Sequence, residues 1–274
     1  MAYERIKLEF DDGIAVLKFN HPDVMNAIGG QMLGELAEAV DEIKAAGTRA
    51  RCLLLTGEGR GFCAGANLSD GRAGAGGAPA GAAGNAGGER RSSGDVLRRG
   101  YHPLLMELRG LEMPMVSAVN GAAAGVGMSF AIAADIVCAG KSAFFLQAFA
   151  KIGLVPDGGA TWLLPRLIGW GRAAELSLLA DRLPAEKAKE WGLVNFVFDD
   201  ADLFSESMKV ARRLANGPRS LALIRKLYWA SPSNSYEQQL DLEAQMQSVA
   251  GRSNDNREGV AAFLEKRDPR FKGE

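Results

Sequence analysis

Apolar positions along this chain change their period several times, and each change marks an element. Ile6, Leu8 and Phe10 alternate with polar residues, and Asp11-Asp12-Gly13 interrupts them before Ile14 to Phe19 resumes, which predicts a hairpin with an Asp-Gly turn. Met32, Leu33, Leu36, Val40 and Ile43 then recur at helical spacing, so Gln31 to Ala46 is predicted as an amphipathic helix ended by Gly47. Cys52 to Thr56 is a continuous apolar run of strand length. Met115 to Val119 is a second, and it feeds Asn120 to Gly127, a run with almost no side-chain bulk, ahead of an apolar helix from Met128 to Ala134. The β-β-α-β start implies an α/β protein, a sheet covered by helices.

Later stretches follow the same logic. A helix from about Gly94 to Gly110 is expected after a Ser93 cap, bent at Pro103, and strands are expected at Ile136 to Ala139 and Ala143 to Gln147. From Ala160 onward the pattern is mainly helical: Thr161 to Ile168, Ala173 to Ala180 and Ala185 to Trp191, then a last strand at Leu193 to Phe198. Leu203, Phe204, Met208, Ala211 and Leu214 stripe one further helix, stopped by Gly217-Pro218. Helices beginning at Arg219, Ser235 and Asp255 finish the chain, the last two with capping boxes to Gln238 and Glu258. Residues 71–88 break every pattern, since fifteen of the eighteen are Gly or Ala. The expectation there is a mobile surface loop, either a tolerated insertion or a lid over substrate.

Composition narrows the function. A chain of 274 residues has length for one sizeable core, and a net charge of −1 offers no field to attract nucleic acid or an acidic membrane surface. No window approaches the roughly 20 apolar residues of a membrane helix, and the start lacks the apolar run of a signal peptide, so a cytoplasmic protein is expected. Cys52, Cys63 and Cys138 have no C-x-x-C spacing, which argues for small buried residues over a disulfide framework or a metal site. His21 and His102 lie far apart and are expected to be structural, which leaves a Ser-His-Asp hydrolase little to build with.

The glycines fit neither nucleotide motif. Gly125-x-Gly127 and Gly57-x-Gly59 are followed at the sixth position by Phe130 and Phe62, and no Gly-Lys-Ser/Thr follows either. A strand, a tight small-residue turn and a helix leave main-chain N–H groups free for an anion or oxyanion, although the same pattern also serves close helix–strand packing. The Cys52 strand leads into a second such loop, Gly57 to Leu68. Two loops of this kind can each give one N–H to a single carbonyl oxygen, a pairing in which losing one donor costs on the order of 3 kcal/mol.

Four segments carry a family resemblance: His21-Pro22-Asp23-Val24-Met25-Asn26-Ala27, Gly61-Phe62-Cys63-Ala64-Gly65-Ala66-Asn67, Ala118 to Gly127, and Gly153-Leu154-Val155-Pro156-Asp157-Gly158-Gly159. In order and spacing they resemble the crotonase, or enoyl-CoA hydratase/isomerase, family, from about residue 5 to the C-terminus. The resemblance implies a crotonase-like β-β-α superhelix over residues 1–200 and a C-terminal helical trimerisation region over 201–274, assembled as a homotrimer or dimer of trimers. It also implies an acyl-CoA thioester as substrate, with coenzyme A arriving on the substrate and no tightly bound cofactor. Ala66 and Val126 then match the two oxyanion donors. Val24, Met25, Ala27, Ala64, Gly65, Asn67, Leu68, Gly125 and Pro156 match positions that contact CoA.

Departures from the family pattern refine this. The two glutamates that activate water in typical hydratases match Ser129 and Phe149, neither of which exchanges a proton near neutral pH. Asp157 stands where many hydratases have glycine. It could cap the helix that follows, or it could act as a lone catalytic base whose pKa an acyl pocket of Phe149, Leu154 and Trp162 would raise. With the glutamates missing, the base is the preferred reading. The chain resembles the ring-epoxide isomerase branch of the family in PDGGATWLLPRL, which favours an acyl-CoA isomerase over an enoyl-CoA hydratase or a non-catalytic acyl-CoA-binding paralogue. Asp135 and the four tryptophans Trp162, Trp170, Trp191 and Trp229 are expected to be structural or interfacial.

Overall fold

In the computed structural model, which describes residues 3–68 and 92–274, the hairpin forms as β1 (Ile6–Asp11) and β2 (Ile14–Phe19). Asp11 pairs with Ile14, and the two-residue turn between them has φ of 46° at Asp12 and 81° at Gly13, a conformation that Asp-Gly tolerates. Helix α1 (Gly30–Ala45) buries Met32, Leu36, Val40 and Ile43 as its spacing predicts. Strand β3 (Cys52–Gly57) is apolar from Cys52 to Leu55 because β2 and β5 (Met115–Val119) flank it in parallel and both its faces are covered. A short β4 (Gly61–Cys63) follows. The loop expected at 71–88 lies outside the described residues.

The helix expected at 94–110 forms over residues 93–110, with a change of helix type in its middle. Helix α2 (Ser93–Val96) is capped by Ser92, whose hydroxyl accepts the Asp95 N–H at 3.1 Å, so the cap falls one residue earlier than expected. A π-helical turn at Leu97–Tyr101 joins it to α3 (His102–Gly110). Pro103 has no N–H to return to the preceding turn, and the widened turn absorbs that loss.

The chain continues as β6 (Ala122–Ala124), α4 (Val126–Ile132), β7 (Ile136–Gly140) and β8 (Phe144–Leu146). Then come α5 (Ala160–Ile168), α6 (Trp170–Leu179), β9 (Leu183–Pro184), α7 (Ala185–Trp191), β10 (Phe196–Phe198) and α8 (Leu203–Ala215). Helices α9 (Ser220–Ala230), α10 (Tyr236–Ala250) and α11 (Asn254–Glu265) complete it.

These strands form a six-stranded sheet in the order β1-β2-β3-β5-β7-β10 and a four-stranded sheet in the order β4-β6-β8-β9. Each of the pairs β3/β4, β5/β6 and β7/β8 sends its first strand to the larger sheet and its second to the smaller. That repeated hand-over is the β-β-α superhelix. Strand β6 had no strand-like signature in the sequence; its three alanines pair between β4 and β8 in a buried row that suits small side chains.

Phe19, on β2, meets Phe62 and Phe130 edge to face with ring centroids at 5.3 and 5.9 Å, joining hairpin, β4 and α4 in one apolar core. The opposite face of the large sheet is covered by α8 through Leu203, Ala211 and Ala215. Phe204, placed in that stripe by its spacing, is 43% exposed and carries Lys18 over its ring.

Two charged groups tie the C-terminal helices down. Arg225 of α9 pairs with Asp135 at 2.7 Å and donates to the carbonyls of Leu108, Arg109 and Leu111. Asp255 does not begin a capping box as expected, because Ser253 caps α11 and the buried Asp255 carboxylate accepts main-chain N–H groups from Arg219, Lys272 and Gly273. The Ser235 box on α10 forms as expected. Among the described residues no helix is long and apolar enough to cross a membrane.

Candidate active site

The site is built where β4 and β6 end. Gly125 holds φ 52° and ψ −130°, open to glycine alone, and its N–H donates to the Leu146 carbonyl at 2.9 Å. This turn makes Val126 the first residue of α4, where an N–H has no acceptor within its own helix. On the other side, Ala64 donates to the Met25 carbonyl at 2.9 Å, Gly65 accepts from Ile28 at 2.8 Å, and Asn67 donates to Ile28 at 2.9 Å. In such an extended run alternate peptides face opposite ways, so the Ala66 N–H points away from Ile28.

The two loops touch with no side chain between them. A Cβ built on Gly65 would lie 3.0 Å from the Ala124 carbonyl oxygen, and one on Gly125 would lie 3.9 Å from the Gly65 Cα. Met25 and Ile28 pair with the run Ala64 to Asn67, Val24 and Ala27 flank them along the chain, and Leu68 is half exposed at the end of the run. Their roles toward CoA are taken up below.

Asn26 and Asn120 hold this architecture, and neither was singled out from the sequence. Asn26 is fully buried; its Oδ1 accepts the His21 N–H at 2.8 Å, and its Nδ2 donates to the carbonyls of Glu58 and Gly61 at 2.9 and 2.8 Å. Asn120 reaches the same turn, donating to Gly59 at 2.8 Å. A lone amide side chain within an apolar or glycine-rich run is the signal that could have found them.

Asp157 lies against α4. A Cβ on Gly158 would fall 2.6 Å from Ser129 Cβ and 3.2 Å from Val126 Cγ2, so the residue after Asp157 rests on the first turn of that helix. The carboxyl oxygen Oδ1 is buried with no hydrogen-bond partner among the described residues, and that burial raises the Asp157 pKa from 3.8 to about 6. The capping role that the sequence left open does not form: Gly159 is the N-cap of α5, without a side-chain bond. Ser129 is fully buried, and the Phe149 ring lies 3.6 Å from where a Gly125 Cβ would be. Main-chain donors beside an unpartnered carboxyl suit proton transfer next to a carbonyl group.

Some expected neighbours are engaged elsewhere. Trp162, expected in the acyl pocket, stacks on Trp229 at 5.8 Å and is flanked by Arg109 and Arg166. Cys52, Cys63 and Cys138 are free and buried, and burial pushes the thiols of Cys63 and Cys138 up to about 12 and about 11.

Comparison with known proteins gives the family. A family model described as enoyl-CoA hydratase/isomerase matches residues 9–274. The chain belongs to that family. It is 44% identical to the 1,2-epoxyphenylacetyl-CoA isomerase of Escherichia coli, over 98% of this chain and 99% of that protein. It is 42% identical to a probable enoyl-CoA hydratase of Rhodobacter capsulatus, over 100% of both chains. The crystal structure of an enoyl-CoA hydratase from a Polaromonas species superposes with a TM-score of 0.84 at 32% identity, covering 97% of this chain and 99% of that one. This family is the crotonase family, and its β-β-α superhelix is the fold described above.

Proposed function

We propose that this enoyl-CoA hydratase/isomerase family member is an acyl-CoA isomerase in which Asp157 moves the proton. The thioester oxygen of the substrate accepts the Ala66 and Val126 N–H groups. The Asp157 carboxylate removes a proton from the carbon next to the thioester, the electron pair passes to that oxygen as an enolate, and the proton returns two carbons further along. The double bond moves from the 3 to the 2 position and no water enters. A substrate with a strained ring attached, the kind named for the E. coli relative, can lose the same proton to Asp157, after which the electron pair of the enolate breaks a bond of the ring and Asp157 returns the proton to the opened system. Main-chain atoms of Val24, Met25, Ala27, Ala64, Gly65, Asn67, Leu68, Gly125 and Pro156 receive the CoA portion, which arrives and leaves with the substrate as its only cofactor.

One observation carries this reading. Asp157, whose main chain rests on α4, carries a buried carboxyl oxygen with no partner among the described residues, while the two positions that hold glutamates in hydratases are a serine and a phenylalanine. Asp157→Asn is expected to lower kcat by at least about 10²-fold, the scale of a lost general base, with thioester binding retained. Wild-type turnover in that variant would overturn the reading.

Hydration is the second reading, favoured by the name of the R. capsulatus relative. Formation of 3-hydroxyacyl-CoA from crotonyl-CoA would support it. A protein that only binds acyl-CoA would show no exchange of the α-proton in D₂O.

A further inference from the structure

Catalytic carboxyls are usually aimed by a neighbouring group, yet among the described residues no hydrogen bond reaches Asp157 Oδ1. Its aim therefore depends on the main chain that carries it. That chain is pliant by composition: Gly158 and Gly159 follow, with φ of 61° and 82°, and neither brings a side chain to wedge the turn in place. What holds the turn is the Asp157 carbonyl oxygen, which accepts the Ala160 N–H at 3.1 Å and the Ser129 hydroxyl at 3.0 Å. The first bond is local, closing the entry to α5. The second crosses to α4, the helix that begins with Val126.

We propose that Ser129 is a positioning residue: through its hydroxyl it fastens the Asp157 turn to the helix whose first amide is Val126, setting the distance between proton carrier and oxyanion donor. This rests on the isomerase reading above. The residue is fully buried and its hydroxyl goes to that one carbonyl among the described residues. Space reinforces the assignment, since a Cβ on Gly158 would lie 2.6 Å from Ser129 Cβ and 2.9 Å from its Oγ. The approach is close enough to require glycine at 158, so the turn rests directly on Ser129. A glutamate restored here would displace Asp157 and would not turn the enzyme into a hydratase.

Ser129→Ala, Ser129→Thr and Ser129→Glu are to be compared with Asp157→Asn in isomerisation of a 3-enoyl-CoA, with Tm measured for each. Loss of the hydroxyl is expected to lower kcat about tenfold and leave KM within about twofold, with the threonine variant within about threefold of wild type. In Ser129→Ala the acid limb of the pH profile is expected to move down toward the ordinary carboxylate range, because a released carboxyl reaches solvent. Ser129→Glu is expected to lose isomerisation and form no 3-hydroxyacyl-CoA from crotonyl-CoA. Wild-type kcat and an unmoved limb in Ser129→Ala would overturn the proposal, as would a loss that follows Tm and is not restored by threonine. If Ser129→Ala behaves as wild type while Asp157→Asn is inactive, the positioning role falls and the isomerase reading stands. Full activity in Asp157→Asn removes both.

Discussion

Asp157 shows how one side chain can be costly to the fold and useful to the chemistry. Its pKa is raised from 3.8 to about 6 by burial, so the folded protein retains a proton that the unfolded chain has already released between those values. The sign follows: wild-type stability falls as pH rises from about 4 to 6 and the penalty is constant above that. Asp157→Asn carries no such charge. At pH 8 it is expected to be more stable than wild type by about 2 kcal/mol, with the difference shrinking toward pH 4, as read from denaturant midpoints at several pH values. Activity runs the other way, since only the carboxylate can accept a proton. kcat/KM of the wild type is therefore expected to fall on an acid limb near pH 6.

At the scale of elements, the site depends on how closely β4 and α4 approach. A Cβ on Gly127 would lie 2.3 Å from the Cys63 carbonyl oxygen, a main-chain atom that cannot swing aside. Gly127→Ala is thus expected to force the two loops apart, lowering stability by roughly 2–4 kcal/mol and reducing kcat even where folding survives. Thermal unfolding and steady-state rates check both effects. Strong periodicities such as α1 and β3 were legible from the sequence because burial on one stripe or both faces selects the residues directly. Strand β6 was not, because alanine carries no strand preference and only its two neighbours make it a strand. The cap expected at Asp255 failed for a related reason, as that carboxylate holds the chain end rather than its own helix.

Across the whole molecule, the C-terminal helices are tied to the sheet core by few polar links. Arg225 is the central one, and its loss would leave Asp135 with only the Met115 N–H and remove a charged donor from the carbonyls of Leu108, Arg109 and Leu111. Arg225→Ala is expected to cost about 3–5 kcal/mol, measured by chemical denaturation. Beyond that tie, α11 exposes Val260, Phe263 and Leu264, with Phe263 82% exposed, an apolar face of the kind that a second subunit covers. Phe263→Glu is expected to shift the protein to smaller species in sedimentation velocity; an unchanged profile would remove α11 from the subunit contact. The sequence by itself determined the strand–loop–helix units, the small residues that let two loops meet, and a single aspartate where other residues could not exchange protons, because local sterics and burial act on each position directly. Tertiary structure decided which loops touch, that Asp157 Oδ1 is buried with no partner among the described residues, and that the Ser129 hydroxyl of α4 meets the Asp157 carbonyl. Those are contacts between residues far apart in the chain, and no local pattern encodes them.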